Sequence, residues 1–191
     1  MKHSWSHRLF LAINAYVGRY PAFDKAMIFG ARWGIAVLLL FVIIFGFVFV
    51  SIGEVYLGVA FLLQLSFISF FGLVISWAIG SLSPHRRPII EMPSIRQLIT
   101  PFGTWKSFPS DHTMLSFIFV LVFIFTFSVQ WYIVLALFMW AIFVSFSRVF
   151  VGVHYPRDLV GGFILALVCS LFFHSLFFGT LHTLFISFLI R

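Results

Sequence analysis

The stretch WGIAVLLLFVIIFGFVFV, residues 33–50, contains no charged residue and is long enough to suggest a membrane-spanning helix. A helix needs about 20 mostly apolar residues to cross roughly 30 Å of hydrocarbon. A second uncharged stretch, VYLGVAFLLQLSFISFFGLVISWAI, follows at residues 55–79. The whole chain is 62% hydrophobic and 9% charged, whereas soluble domains are about half apolar and about a quarter charged. The sequence therefore predicts a membrane protein.

Three further apolar stretches extend this pattern toward the C-terminus, at residues 114–129, 132–146 and 159–178. A break near Gln130 separates the first two of them, and Gly179 precedes a tail too short to cross alone. We therefore expect an all-α polytopic transmembrane helical bundle of five to six spans.

The N-terminal segment, residues 1–32, has a different composition. Arg8, Asn14 and Arg19 are mixed there with apolar side chains, as in an amphipathic helix that lies at the membrane interface. Length and composition predict that residues 1–191 form a single membrane-embedded domain. The net charge of +7 does not indicate nucleic-acid binding, because no basic run with interleaved aromatic residues accompanies it.

Two polar loops interrupt the apolar runs, at residues 80–110 and 147–158. The second span enters the first loop, the third span leaves it, and the fourth span returns to the second loop. Both loops are therefore expected on one membrane face. Ionisable groups at membrane depth are costly unless paired or hydrated, so their concentration in these loops predicts an active site between span ends.

The arginines of these loops are suited to phosphate. Arg87 lies in SPHRRP, residues 83–88, and Arg148 lies in SRVFVGVHYPRD, residues 147–158. A guanidinium is planar, permanently charged and able to bind two phosphate oxygens at once. We therefore expect both arginines to bind a phosphate group and the transition state of its transfer.

The sequence FPSDHT, residues 108–113, begins the third span. Ser110 and Asp111 would lie at a helix N-terminus, where unpaired backbone N–H groups bind anions. In the second loop, Asp158 follows His154 by four residues, with Pro156 favoured for a first helical turn. A carboxylate on one imidazole nitrogen leaves the other free to attack phosphorus, and His112 would protonate the leaving oxygen.

These motifs resemble those of the type 2 phosphatidic acid phosphatase family of membrane lipid phosphatases. The resemblance covers roughly residues 80–162 and rests on Arg87-Pro88, residues 109–112 and residues 147–158. It implies metal-independent hydrolysis without a cofactor. It also implies His154 as the nucleophile of a phosphohistidine intermediate, His112 as the general acid and Asp158 as the residue that orients His154. The phosphate ligands implied are Arg87, Arg148 and Ser110, and the helix N-terminus adds Asp111 as a phosphate-binding position.

Two positions depart from the family pattern. The family's lysine would fall at Gly80, and its usual glycine in the second motif is Asp111. Because a transferring phosphoryl group spreads negative charge over three oxygens, we expect His85 or Arg86 to supply the missing cation. In an extended segment side chains alternate, so His85 would point to the same side as Arg87 and Arg86 would point away. Arg86 instead has permanent charge and longer reach.

The Asp-His-Thr sequence at residues 111–113 and the short chain resemble bacitracin-resistance-type undecaprenyl diphosphatases, which act in cell wall biogenesis. The expected substrate is therefore undecaprenyl diphosphate, with phosphatidylglycerophosphate or phosphatidic acid as the alternative. A transporter of lipid carriers, or an inactive scaffold, is the alternative from another class. The expected partners are membrane lipids and an isoprenoid or glycerophospholipid phosphate substrate. The sequence indicates no protein partner and no metal site.

The membrane side of the site receives conflicting signals. Lysine and arginine residues, apart from Arg191, fall on or near the loop-bearing face, and the positive-inside rule places such a face in the cytoplasm. The family resemblance implies the outer face of the plasma membrane. Because the charges of Arg87 and Arg148 have a chemical explanation, we expect the outer face.

Overall fold

The computed structural model describes residues 4–49, 55–101, 103 and 105–176, which form helices and connecting segments without a β-strand in these ranges. The eight helices within these ranges are α1 Trp5–Asn14, α2 Pro21–Arg32, α3 Gly34–Phe49, α4 Val55–Leu82, α5 Pro88–Glu91, α6 Asp111–Thr126, α7 Trp131–Phe150 and α8 Pro156–Leu176. The predicted all-α class is confirmed.

Among the described residues, three helices are long and apolar enough to cross a membrane: Leu57–Leu82 within α4, Trp131–Phe150 and Pro156–Leu176. A fourth crossing is counted if α2 and α3, which meet at a bend of 58°, form one broken span. Helix α6 has 16 residues, which at 1.5 Å per residue gives about 24 Å, less than the hydrocarbon thickness. The expected five to six spans are therefore not confirmed.

Helix α6 lies at the centre of the bundle and packs against α3, α4, α7 and α8. Its side chains Ile118, Val120, Val122 and Phe123 are fully buried. Burial on all sides explains why this helix is apolar throughout rather than amphipathic. On α8, a Cβ added at Gly162 would lie 2.7 Å from the Ser110 carbonyl oxygen, so glycine lets the start of α6 approach α8 closely.

The end of α4, the start of α6, the end of α7 and the start of α8 meet at one end of the bundle. Backbone hydrogen bonds tie their connections together. The Ser110 amide donates to the Asp158 carbonyl at 3.0 Å, and the Leu98 amide donates to the Val151 carbonyl at 3.1 Å. Both polar connections therefore lie together, as the order of the spans predicted.

The N-terminal region forms two helices where the sequence indicated one interfacial segment. Helix α1 is fastened to the polar connections, because the Asn14 side chain donates to the Arg96 carbonyl at 2.6 Å and accepts from its amide at 3.0 Å. The Arg157 amide donates to Ser6 Oγ at 3.1 Å. Phe10 is fully buried. Tertiary contacts with the site end of the bundle thus position α1, which an amphipathic pattern alone does not reveal.

Candidate active site

His154 lies in the short connection between α7 and α8 and is 3% exposed. The chain turns here at Gly152, whose φ of +88° is unfavourable for other residues. A Cβ at Gly152 would also lie 3.2 Å from the Arg96 carbonyl oxygen. Beyond the turn, the Val153 and His154 amides both donate to the Arg148 carbonyl, at 3.2 and 3.3 Å. The backbone therefore holds the imidazole in a fixed place.

Asp158 lies in the first turn of α8, which begins at Pro156, and is fully buried. Its Oδ2 lies 3.4 Å from His154 Nδ1. The same oxygen accepts hydrogen bonds from Ser107 Oγ at 2.6 Å and from the Tyr155 amide at 2.9 Å. Three donors around one oxygen keep the carboxylate ionised and oriented toward the imidazole.

Arg87 contacts the other side of the same ring. Its Nη1 donates to the Val153 carbonyl at 2.9 Å and lies 3.1 Å from His154 Nε2. Because a guanidinium has donors only, Nε2 must be the acceptor in this contact. Nδ1 then carries the proton and faces Asp158. The two neighbours thus select the tautomer with its proton on Nδ1 and its lone pair on Nε2.

Burial lowers the pKa of His154 to about 4, and the charges of Arg87 and Arg148 act in the same direction, while the hydrogen bond to Asp158 opposes them. The imidazole is therefore neutral at neutral pH. A neutral ring with an unprotonated Nε2 can act as a nucleophile, whereas an imidazolium cannot.

The two arginines each bury an unused donor. Arg148, 6% exposed, donates from Nη1 to the Ala31 carbonyl at 2.8 Å. Within the described ranges, the buried Nε atoms of Arg87 and Arg148 have no hydrogen-bond partner. Burial lowers the pKa of Arg87, although Asp158 and Asp111 oppose this effect. Leaving buried charged donors unpaired is costly.

The start of α6 forms another side of the site. Ser110 is the N-cap, and its Oγ accepts from Thr113 Oγ1 at 3.2 Å and from the Thr113 amide at 3.5 Å. His112 and Asp111 follow in the first turn. Ser110 is fully buried, and its hydroxyl oxygen is already engaged within the helix. The first turn presents the His112 ring to the same cavity as His154.

These groups surround a cavity of about 500 Å³. Its polar lining comprises Arg87, Lys106, Asp111, His112, Arg148 and His154, and its apolar lining includes Leu73, Trp77 and Trp105. Cationic and imidazole groups at one end with aromatic and aliphatic groups beside them suit a molecule with an anionic head and an apolar chain.

His85 and Arg86, the expected extra cations, lie beside this arrangement. The His85 ring contacts the Phe108 ring at 5.6 Å between centroids, and its Nδ1 lies 2.8 Å from the Ser83 carbonyl. Arg86 is exposed. Neither residue belongs to the described lining of the cavity.

Two residues with a place at the site were not singled out from the sequence. Ser107 holds Asp158, and Lys106 lines the cavity. Their position directly before FPSDHT was the available signal. However, serine and lysine in a polar loop have many ordinary explanations, and only the folded chain brings Ser107 to Asp158, which lies 51 positions away in sequence.

Within the described residues, no three His, Cys, Asp or Glu side chains form a group suited to holding a metal ion. The positive side chains that line the cavity are those of Arg87, Lys106 and Arg148.

Fold and site together define a helical membrane protein with a cavity lined by arginine, lysine and histidine side chains at one end of its bundle. Residues 82–181, just over half of the 191-residue chain, match the family model described as the PAP2 superfamily. The chain therefore belongs to the PAP2 superfamily.

Named relatives are similar over parts of the chain. The Escherichia coli protein named "Putative undecaprenyl-diphosphatase YbjG" is 34% identical over 50% of this chain and 46% of its own length. The Bacillus licheniformis bacitracin transport permease protein BcrC is 39% identical over 49% of this chain and 44% of its own length. The chain thus matches less than half the length of each. The Bacillus subtilis undecaprenyl-diphosphatase BcrC is 27% identical over 88% of this chain and 82% of its own length.

Two crystal structures share the fold. Aquifex aeolicus LpxE superposes with a TM-score of 0.71 and 23% identity, covering 91% of this chain and 97% of LpxE. The transmembrane PAP2-type phosphatidylglycerolphosphate phosphatase from Bacillus subtilis superposes with a TM-score of 0.64 and 20% identity, covering 94% of this chain and 89% of that enzyme. At these identities the likeness establishes the fold.

Proposed function

We propose that this protein hydrolyses a membrane lipid phosphate or diphosphate without a metal, through a phosphohistidine intermediate on His154. The observation that carries the proposal is the position of this ring between Asp158 and Arg87. Nδ1 lies 3.4 Å from the carboxylate, and Nε2 faces a guanidinium at 3.1 Å. A nucleophile with a fixed tautomer, facing a cation that binds phosphate oxygens, matches the requirements of phosphoryl transfer.

In the first step, the Nε2 lone pair of His154 attacks the terminal phosphorus. The bond between phosphorus and the leaving oxygen breaks, and its electron pair goes to that oxygen, which His112 protonates. Burial and the neighbouring charges of Arg148, His154 and Arg87 lower the pKa of His112 to about 3 without a ligand, and the negative charge of a bound phosphate raises it. Asp158 keeps the proton on Nδ1 and stabilises the positive charge that develops on the ring. Arg87 and Arg148, which line the cavity, bind the equatorial phosphoryl oxygens through their guanidinium groups.

In the second step, water attacks the phosphorus of the phosphohistidine. His112, now neutral, accepts a proton from the water, and the bond between phosphorus and Nε2 breaks. Inorganic phosphate leaves, and His154 regains its lone pair. His112 is thereby protonated again and His154 is neutral again for the next turnover.

Undecaprenyl diphosphate is the proposed substrate, and undecaprenyl phosphate is the proposed product. The undecaprenyl-diphosphatase relatives support this substrate, among them the Bacillus subtilis protein aligned over most of both chains. The Bacillus licheniformis name also suggests a link to bacitracin resistance. Phosphatidylglycerophosphate or phosphatidic acid is the second candidate, supported by the shared fold of the phosphatidylglycerolphosphate phosphatase.

A transporter of lipid carriers is the alternative from another class, and one relative carries a transport name. Binding alone would require cations such as Arg87 and Arg148. It would not require a carboxylate that orients His154 or a second imidazole at His112. These groups favour hydrolysis.

The deciding experiment measures inorganic phosphate released by the purified protein in detergent from undecaprenyl diphosphate, phosphatidylglycerophosphate and phosphatidic acid. We expect release from at least one lipid, fastest for undecaprenyl diphosphate. A ³²P-labelled intermediate that is labile to acid and stable to base identifies phosphohistidine. Lipid binding with no phosphate release from any of the three would favour the transporter.

We place the active site on the outer face of the plasma membrane, where the conflict with the positive-inside rule requires a direct test. Ser94 and Gln130 are exposed positions at opposite ends of the bundle. Ser94→Cys should react with a membrane-impermeant maleimide in intact cells, and Gln130→Cys should react after permeabilisation. The reverse pattern would place the site in the cytoplasm.

A further inference from the structure

Lys106 is a buried lysine that lines the active-site cavity. The residue is 5% exposed. Its Nζ donates to Ser76 Oγ at 2.7 Å and to Asp111 Oδ1 at 2.7 Å. Ser76 Oγ in turn donates to the same carboxylate oxygen at 2.5 Å. The ammonium is therefore held at one defined place rather than free in solvent.

The path of the lysine side chain depends on Gly80 in α4. A Cβ added at Gly80 would lie 2.5 Å from Lys106 Cδ and 3.0 Å from Cγ. Gly80 is helical, so its own backbone does not require glycine. The absence of a side chain instead leaves room on α4 for the stem of Lys106. Gly80 is also the position at which the family pattern has its lysine.

The cost of burying this ammonium requires an explanation. Removing a charge from water costs several kcal/mol unless good partners compensate. Lys106 has one carboxylate partner, Asp111, whose side chain is itself 40% exposed. An ammonium has three N–H donors, and two are used in the described contacts. The remaining donor and the cavity position suit an anionic ligand.

The charges of the cavity lead to the same conclusion. Arg87, Arg148 and Lys106 are positive, and Asp111 is negative. A phosphate group carries about −1.5 to −2 at neutral pH. Without Lys106, the Asp111 carboxylate would repel such a group and offset one arginine. With Lys106, two net positive charges remain to balance it.

We propose that Lys106 is the third phosphate-binding cation of this site, that its Nζ donates to a non-bridging phosphate oxygen, and that Gly80 is required for this placement. The inference rests on the proposed function, because it concerns the phosphate-bearing head of the same substrate. It assigns to Lys106 the contact that the sequence suggested for His85 or Arg86.

The test measures binding of inorganic phosphate to the purified protein by isothermal titration, together with kcat/KM on the lipid substrate. Lys106→Met removes the charge and keeps a similar length. Phosphate affinity and kcat/KM should each fall about tenfold or more, which corresponds to about 1.4 kcal/mol. Lys25→Met, an exposed lysine in α2, is the matched control and should remain within about twofold.

The double variant Lys106→Met/Asp111→Asn separates binding from neutralisation. If Lys106 binds phosphate itself, the double variant should stay impaired relative to Asp111→Asn alone. Recovery of the double variant to the affinity of Asp111→Asn would show that Lys106 only neutralises the carboxylate, and this would overturn the proposal. A tenfold loss in His85→Ala or Arg86→Ala, with none in Lys106→Met, would overturn it as well.

Gly80→Ala provides a second route that keeps every charge in the protein. Its added methyl group should displace the lysine stem and weaken phosphate binding about as much as Lys106→Met does. Combining the two substitutions should then add little, because both remove the same contact. Wild-type affinity in Gly80→Ala would contradict the placement. Elution volume and unfolding temperature in detergent show which variants fold.

Failure of this inference and failure of the proposed function give different results. If the wild-type protein hydrolyses no lipid phosphate, but Lys106→Met still weakens phosphate binding, the site binds phosphate without the proposed reaction. If the wild-type protein hydrolyses lipid and Lys106→Met has unchanged affinity and kcat/KM, Lys106 is not a ligand and the proposed function stands.

Discussion

Two histidine clusters lie at opposite ends of the same helices. At the site end, His154 lies between Asp158 and Arg87. At the far end, His174 of α8 lies 2.7 Å from the Gln64 side-chain nitrogen on α4, and Thr126 of α6 donates to Gln64 Oε1 at 3.2 Å. Both clusters connect helices through an imidazole.

The partners distinguish the two clusters. The contacts described at the far end pair the imidazole with a neutral amide, which can satisfy it at low electrostatic cost. The site end instead gathers a carboxylate and two guanidinium groups, with arginine Nε donors left unpaired in the described structure. Neutral partners stabilise helix packing, whereas charged side chains that line a cavity suit a ligand. Each prediction below tests this distinction.

Removing each imidazole gives the largest expected contrast. His154→Ala should abolish turnover, because no nucleophile remains, while lipid binding by the arginines persists. His174→Ala should keep kcat/KM within about threefold and lower the unfolding temperature, because a buried amide loses its partner at a cost of about 1–3 kcal/mol. Phosphate release and thermal unfolding in detergent measure both effects. Substantial turnover by His154→Ala would remove the basis of the proposed mechanism.

Asp158→Asn tests the orientation of His154 with little change in shape. The amide presents no charge to Nδ1–H and destabilises the imidazolium character of the transition state, so kcat should fall about 10²- to 10⁴-fold. KM should change much less. The matched far-end substitution, Gln64→Glu, should leave kcat nearly unchanged. A KM increase as large as the kcat loss would indicate that Asp158 acts mainly in substrate binding.

His112→Ala should separate substrates by their leaving groups. General acid catalysis contributes about 10²- to 10⁴-fold, and an alkoxide leaving group needs a proton more than a lipid phosphate does. The loss in kcat should therefore be larger for phosphatidic acid than for undecaprenyl diphosphate. Equal losses on both lipids would identify His112 as a phosphate ligand rather than the acid.

The low pKa of His154 predicts an unusual acid limit of activity. Because burial lowers this pKa to about 4, the ring stays neutral as pH falls through 6.5, the usual histidine value. After correction for ionisation of the substrate phosphate near pH 6, kcat/KM should stay close to its value at neutral pH until the pH falls to about 4. An acid limb at pH 6.5 would indicate an imidazole that is exposed to water.

The same pKa has a consequence for stability. The unfolded chain binds a proton on His154 near pH 6.5, whereas the folded chain resists protonation until about pH 4. The contribution of His154 to stability is therefore present above pH 6.5 and is lost as pH falls toward 4. His154→Gln should reduce this part of the pH dependence in equilibrium unfolding experiments.

The smallest expected effect is that of chelators. If cations of the chain balance the phosphate charge, EDTA should leave kcat/KM within about twofold of the untreated value. Lipid phosphate release is measured before and after dialysis against the chelator. Loss of activity that magnesium restores would contradict the metal-independent reaction.

The apolar runs predicted the positions of the long helices because composition and length alone determine which segments can cross a bilayer. The α6–α7 break fell near Gln130 as expected, and α8 begins at Pro156. The span count was less certain from sequence. Helix α6 is apolar because neighbouring helices bury it on all sides, and periodicity does not separate such a helix from one that faces lipid.

The sequence by itself determined that this is a helical membrane protein with His112, His154, Asp158, Arg87 and Arg148 in two polar loops, because those features depend on residue type and short spacing. The contact between Ser107 and Asp158, and the packing of the Lys106 side chain against Gly80, became visible in the folded chain alone. These contacts join segments distant in the chain, and their chemistry depends on burial and on neighbours within a few ångströms. The spacing of residues within one segment carries no information about burial or about neighbours from other segments.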